Sequence, residues 1–347
     1  MTCARTLARC LSALGFLAFG LPAVGLLGLT TGCTPEPESS TPATAESGGP
    51  AGKPVVALVV KDLSNEFFQT MIEGAEEHAA ANADRYTLKV DGLQNEQDLN
   101  RQVAIVSQLV AEGVDAIVLA PADSKGLVPA VQKALEAGVP VINIDNKLDA
   151  DKLAAAGIAV PFIGPDNRAG ARRVGEYAAT KLPPDATVAI LEGIPTAFNA
   201  IERRAGFEEA MGEAGLTVVD VQSAEWDLNK AGQVSTAMLS AHDGLGAILA
   251  SNDTMALGAL AAAKSQGRDD LVVVGFDNNA AAQEAIRDGR LLATADQQSG
   301  LLATEGIDAA LAAIAGQSVD DRQTAVELVT AETLAADSAA APEEASP

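Results

Sequence analysis

Asn65, Phe67 and Phe68 stand together at the end of KPVVALVVKDLSNEFF, residues 53–68. An amide beside two aromatic rings suits a neutral polar molecule with apolar faces. The amide exchanges hydrogen bonds in both directions while a ring covers C–H groups. The same rings would also serve as core anchors of a helix, and spacing alone leaves both readings open. Further along, Asp145 and Asn146 follow PVINI, Asn252 follows the run ending at Ala250, Asp277 follows VVVGF and Gln297 follows LLATAD. Arg203 sits in ERRAGF, behind Phe198 and Asn199, and Trp226 is the single tryptophan. Each has an ordinary structural explanation: Asp or Asn after a strand caps the next helix, Arg203 fits a solvated helix face, and Trp226 fits a core. Their convergence is what favours binding, because carboxylates, amides, a guanidinium and rings all fall at the ends of separate apolar runs.

Those runs define the elements that must hold the residues. Val55 to Val60 is apolar, largely β-branched and too short to span a membrane, so it reads as a buried parallel strand. Similar runs recur at 86–90, 116–119, 139–144, 159–163, 187–191, 216–221, 247–250, 271–274, 291–295 and 325–329. Alanine-rich helical segments lie between them, as at 99–112, 126–137 and 169–181. The alternation predicts an α/β chain with helices on both faces of parallel sheets. Two doubly wound parallel-sheet lobes account for this many strands, and a (β/α) barrel with insertions is the alternative. In open sheets of this kind ligands bind outside the carboxyl ends of the strands.

The 347 residues, 48% hydrophobic, suffice for roughly two domains. A formal charge of −24 argues against nucleic acid or an anionic membrane surface as partner, since phosphate recognition needs a basic stripe. Arg5 and Arg9, an uncharged apolar stretch from Leu11 to Leu29 and the small residues before Cys33 form a targeting segment over 1–33. It resembles a bacterial lipoprotein signal with Cys33 as the lipidated residue, although Thr30 stands where an aliphatic residue is usual. An uncleaved anchor is the alternative. Either places the folded part outside the cytoplasmic membrane. Cleavage would remove Cys3 and Cys10, leaving no internal disulfide, and would leave 21 basic against 47 acidic residues, a net charge of −26. Residues 34–53, rich in Pro, Ser, Glu and Gly, read as a flexible tether, and 332–347 as a disordered acidic tail. Only His78 and His242 occur, and no HExxH, GxSxG or GxxxxGK[ST] motif is present.

VALVVKDLSNEFF, PVINIDN, ERRAGF, ASNDTMALGAL, VVVGFDNN and LLATADQ, in that order, resemble the ribose-binding branch of the type I periplasmic sugar-binding proteins, from about residue 54 to about 329. The resemblance implies an extracytoplasmic receptor, not an enzyme, that closes on a monosaccharide or sugar alcohol and delivers it to the permease and ATPase of an ABC importer. It implies no cofactor or metal, no nucleic acid, a monomer, and anchoring in the periplasm or on the cell surface through Cys33. The lobes would be 54–164 with 298–324 and 165–297 with 325–331, joined by crossings near Gly164, Gln297 and Thr324. Asn65, Phe67, Phe68, Asp145, Asn146, Arg203, Trp226, Asn252, Asp277 and Gln297 would line the sugar site. Asn146 stands where ribose binders have arginine, so Asp145 and Asp277 would face Arg203 alone and an anionic sugar would be disfavoured. A sensory sugar or quorum-signal receptor is the alternative role, and a glycosidase using Asp145 and Asp277 a more distant one.

Overall fold

The computed structural model describes residues 52–340. The signal with Cys33, the tether up to residue 51 and residues 341–347 lie outside the described residues. Among the described residues no helix is long and apolar enough to cross a membrane.

The chain runs β1 (Val55–Val60), α1 (Glu66–Ala81), β2 (Thr87–Gly92), α2 (Leu99–Glu112), β3 (Ala116–Leu119), α3 (Val128–Glu136), β4 (Val141–Ile144), α4 (Ala150–Ala156) and β5 (Phe162–Pro165). It continues through α5 (Asn167–Ala179), β6 (Thr187–Glu192), α6 (Phe198–Glu213), β7 (Thr217–Ser223), α7 (Leu228–Ala241), β8 (Leu245–Ala250), α8 (Asp253–Ser265), β9 (Val272–Val274), α9 (Ala280–Arg287) and β10 (Thr294–Asp296). It ends with α10 (Ser299–Ile314), β11 (Arg322–Thr324), β12 (Glu327–Val329) and α11 (Ala331–Ala340).

These strands form two lobes. The first has a six-stranded sheet in the order β11-β5-β4-β3-β1-β2, with every neighbouring pair parallel. Alternation along β1 sends Val56, Leu58 and Val60 into a core under α1 and α10, and Ala57 and Val59 into one under α2 and α3. Burial on both faces is why the run shows no polar alternation. Helices α1 and α10 approach closely enough that a Cβ on Gly74 would lie 2.6 Å from the Gly300 Cα. The second lobe has β7-β6-β8-β9 in parallel. Backbone bonds from Leu292, Gly275 and Asp277 continue that sheet toward β10, which pairs antiparallel with β12. The backbone passes between lobes three times: after β5, between β10 and α10, and between β11 and β12.

Two features differ from expectation. Arg322–Thr324 forms an edge strand of the first lobe, although RQT is polar and carries no apolar period. Where a disordered tail was expected from residue 332, α11 runs to Ala340, and Leu334 is buried in the second lobe's core. Alanine's helix propensity and one apolar anchor outweigh the acidic composition there.

Candidate functional site

The strand ends of both lobes face a common small cavity. From the first lobe, the loop after β1 supplies Asn65 and the first turn of α1 supplies Phe67 and Phe68. Asn65 caps α1 through its Oδ1, which accepts from Phe67 N at 3.0 Å, so its NH2 is the group left over for the cavity. The rings meet edge to face, 5.1 Å between centroids. They line the cavity and belong to the core under α1 as well, so both readings of them hold. Asp145 follows β4 in a left-handed conformation, φ 60°.

From the second lobe come Arg203 on α6, Trp226 after β7, Asn252 before α8 and Asp277 after β9, with Gln297 on the crossing segment just after β10. Asn252 also caps its helix, accepting from Met255 N at 2.9 Å. Arg203 is buried: Nε donates to Asn167 Oδ1 at 2.7 Å, Nη1 to the Ser251 carbonyl at 2.8 Å and to Asp277 Oδ1 at 3.3 Å. Its guanidinium stacks 3.8 Å from the Phe276 ring centroid. Gln297 Nε2 donates to Asp277 Oδ1 at 2.6 Å. Trp226 and Asp277 have positive φ, 65° and 125°. Three non-glycine cavity residues in this sparsely populated region, counting Asp145, mark backbone strain held at the site. Trp226 lies flat on Gly193, where any Cβ would run into the indole.

Asn146 does not line the cavity. It is buried beside it, with Nδ2 donating to the Pro121 carbonyl at 2.9 Å and Oδ1 accepting from Asn199 N at 3.2 Å across the cleft. Phe198 likewise faces a different groove, shared with Lys147 and Phe162 at the hinge.

Sequence reasoning missed Lys61 and Glu96 and left Asn199 out of the site residues, although Asn199 with Phe198 replaces small residues of the ribose binders. Lys61 Nζ lies 3.1 Å from Glu96 Oε2 and 3.0 Å from Asp145 Oδ2, all three buried. The ammonium also sits 5.4 Å from the Phe68 centroid and 5.9 Å from that of Trp226. The available signal was position: Lys61 directly follows a strand buried on both faces, at the same sheet edge as Asn65. The cavity therefore holds Glu96, Asp145 and Asp277 against Lys61 and Arg203, where two acids against one base were expected; the formal excess stays at one negative charge.

Burial shifts these groups, and their partners oppose it. Burial pulls the Lys61 ammonium down, but Asp145 and Glu96 outweigh it and leave its pKa raised. Glu96 is raised by burial against the pull of Lys61. Burial lowers Arg203 despite Asp277 and Asp145, and lifts Asp277 well above the carboxylate range despite Arg203, with Asp253 adding to the rise. Asp253, buried behind the cavity, is raised to about 6, chiefly by burial. Three further polar atoms on the wall have no hydrogen-bond partner within the protein: Trp226 Nε1, Asn199 Oδ1 and Gln297 Oε1. A buried donor and two buried acceptors left open form a surface that needs hydroxyl groups to satisfy it.

Comparison with known proteins points the same way. The periplasmic binding protein domain model matches residues 56–318. The D-ribose/D-allose-binding protein of Pseudomonas aeruginosa is 50% identical over 285 residues, 80% of this chain and 89% of that protein. Among solved structures, an ABC transporter solute-binding protein from Burkholderia multivorans, with an unknown ligand fitted as α-D-erythrofuranose, superposes with TM-score 0.79 at 50% identity over 81% of this chain and all of that one. A periplasmic solute-binding protein from Actinobacillus succinogenes with bound D-allose gives 0.77 at 35% identity over 81% and 98%.

Proposed function

The chain belongs to the periplasmic binding protein family, and from that premise we propose that its interlobe cavity captures a neutral monosaccharide or sugar alcohol for delivery to an ATP-driven importer. The observation that carries this is the set of open buried atoms on Trp226, Asn199 and Gln297, set between charged groups of both lobes. Sugar hydroxyls donate and accept, so they satisfy an indole N–H and amide oxygens alike, and their bonds to Asp145, Asp277, Lys61 and Arg203 are charge-assisted. Phe67, Phe68 and Trp226 cover the C–H faces. The excess negative charge disfavours sugar acids and sugar phosphates.

Capture requires contact with both lobes, because only differential affinity for the closed form shifts the open–closed balance. The lobes act as 54–164 with 298–324 against 165–297 with 325–331, and bend at the three crossings. The protein works as a monomer, is tethered through a lipid on Cys33 and residues 34–53, and turns nothing over. Asp145 and Asp277 are engaged by Lys61, Arg203 and Gln297, which supports holding a sugar over hydrolysing one.

The test is a melting panel of D-ribose, D-allose, myo-inositol and D-glucuronate, followed by calorimetry. A ligand that binds only the native form raises the melting temperature. We expect a rise with at least one neutral member and none with the acid. A panel in which no neutral member moves the transition overturns the reading. Recovery of the sugar intact from the complex separates binder from enzyme.

A further inference from the structure

Helices α5 to α9 of the second lobe begin in two different ways. Three carry a cap of their own: Asp166 accepts from Ala169 N in α5, Asp227 from Lys230 N in α7 and Asn252 from Met255 N in α8. The other two do not. Helix α6 has at its N-cap Ala197, whose side chain has no acceptor, and α9 has Asn279, whose side chain makes no capping bond.

In both cases the first lobe supplies what is missing. Phe198 N donates to Ser124 Oγ at 3.0 Å and Asn199 N to Asn146 Oδ1 at 3.2 Å. Ser124 Oγ in turn donates to Asn146 Oδ1 at 3.4 Å, so two consecutive amides of α6 share one linked pair of acceptors. At α9, Ala280 N donates to Glu66 Oε1 at 2.6 Å. The first amides of a helix have no intrahelical partner, and a carboxylate there also meets the positive end of the helix dipole.

We propose that Ser124, Asn146 and Glu66 are positioning residues for closure, which cap α6 and α9 from the opposite lobe only when the lobes are together. The open form leaves those amides to water, so the caps bias the chain toward the closed form independently of what occupies the cavity. Asn146, the departure from the ribose-binder pattern, thereby has a task behind the wall and none on it. The inference rests on the proposed function only for the identity of the trapped molecule.

The test uses Ser124→Ala and Glu66→Ala, with Glu66→Gln as the variant that keeps an acceptor at Ala280. Nitroxide labels at Gln94→Cys and Asn229→Cys, exposed positions on the two lobes, report lobe separation by pulsed dipolar spectroscopy. Stopped-flow measures dissociation of D-allose. Loss of one cap is expected to speed dissociation roughly five-fold, the equivalent of about 1 kcal/mol, with Glu66→Gln close to wild type. Unchanged dissociation in both alanine variants overturns the inference, as does Glu66→Gln behaving like Glu66→Ala, since that assigns the effect to charge and not to capping. If wild type binds no sugar of the panel, it is the functional reading that fails. The sugar-free distances then decide: longer separations in the alanine variants support the caps, and identical distributions overturn them.

Discussion

Replacing Arg203 by methionine should cost the protein about 3–5 kcal/mol of stability, far more than the net worth of the ion pair it breaks. At 3.3 Å from Asp277 Oδ1, the guanidinium contributes roughly 5 kcal/mol of attraction at an effective dielectric near 20. Desolvation of two buried groups offsets most of this, as the downward shift of Arg203 and the upward shift of Asp277 both show. Methionine retains much of the apolar contact with Phe276, so the loss is mainly electrostatic. Asp277 would keep only the Gln297 bond and would stay buried beside Asp253 and Asp145. Asp277→Asn alone should cost less, about 1–3 kcal/mol, because it leaves a cation with two other acceptors, Asn167 and the Ser251 carbonyl. The double variant should then recover at least about 1 kcal/mol relative to the sum of the singles. Urea unfolding of the sugar-free protein at pH 7 measures all four corners of the cycle. A double variant that loses the full sum refutes the coupling, and an Arg203→Met loss below about 1 kcal/mol refutes the claim that the cation neutralises a buried carboxylate.

Gly193→Ala should displace the Trp226 indole, weakening sugar binding at least about ten-fold in calorimetry while costing only about 1–3 kcal/mol of stability; unaltered affinity refutes the role given to that ring. The raised pKa of Asp253, about 6, also fixes a pH dependence. The folded state holds a proton that the unfolded state has released, so this group's contribution makes stability fall as pH rises from about 4 to about 6, by about 3 kcal/mol in all. Asp253→Asn, whose amide oxygen can still accept from Asn279 N while its NH2 turns to the Thr294 hydroxyl that now donates to Asp253, should flatten the urea midpoint across that window relative to wild type; parallel slopes in the two proteins count against it.

Much of this was legible because strand ends announce themselves. A β-branched run followed abruptly by Asn, Asp or Gln marks a sheet's carboxyl edge, and the order of such ends along the chain carried both the two-lobe architecture and most of the cavity wall. Buried charge was not legible. Lys61 and Glu96 sit among polar loop residues that look solvated in sequence, and only folding shows that each is buried against the other. Asn146 carried a correct clue, a departure from pattern, but its orientation depends on Asn143, Ser124 and Pro121, the last two of which lie outside the motif. The edge strand at Arg322 is held by register with β5, which no local periodicity records.

Helix α10 is made late, yet it shares one face of the first sheet with α1, where Leu302, Ile307 and Ala310 close the core over Val56, Leu58 and Val60. During synthesis the part of that face that α10 covers stays bare until more than three hundred residues have emerged, and β11 follows later still. The leading lobe is therefore closed only after the trailing lobe's four-stranded sheet has been spun out, and β12 and α11 of the trailing lobe come after that. Such non-local assembly is intrinsically slow and leaves apolar surface uncovered meanwhile. A chain built this way cannot close its first core until nearly all of it has been made, so the two lobes finish within a few residues of each other.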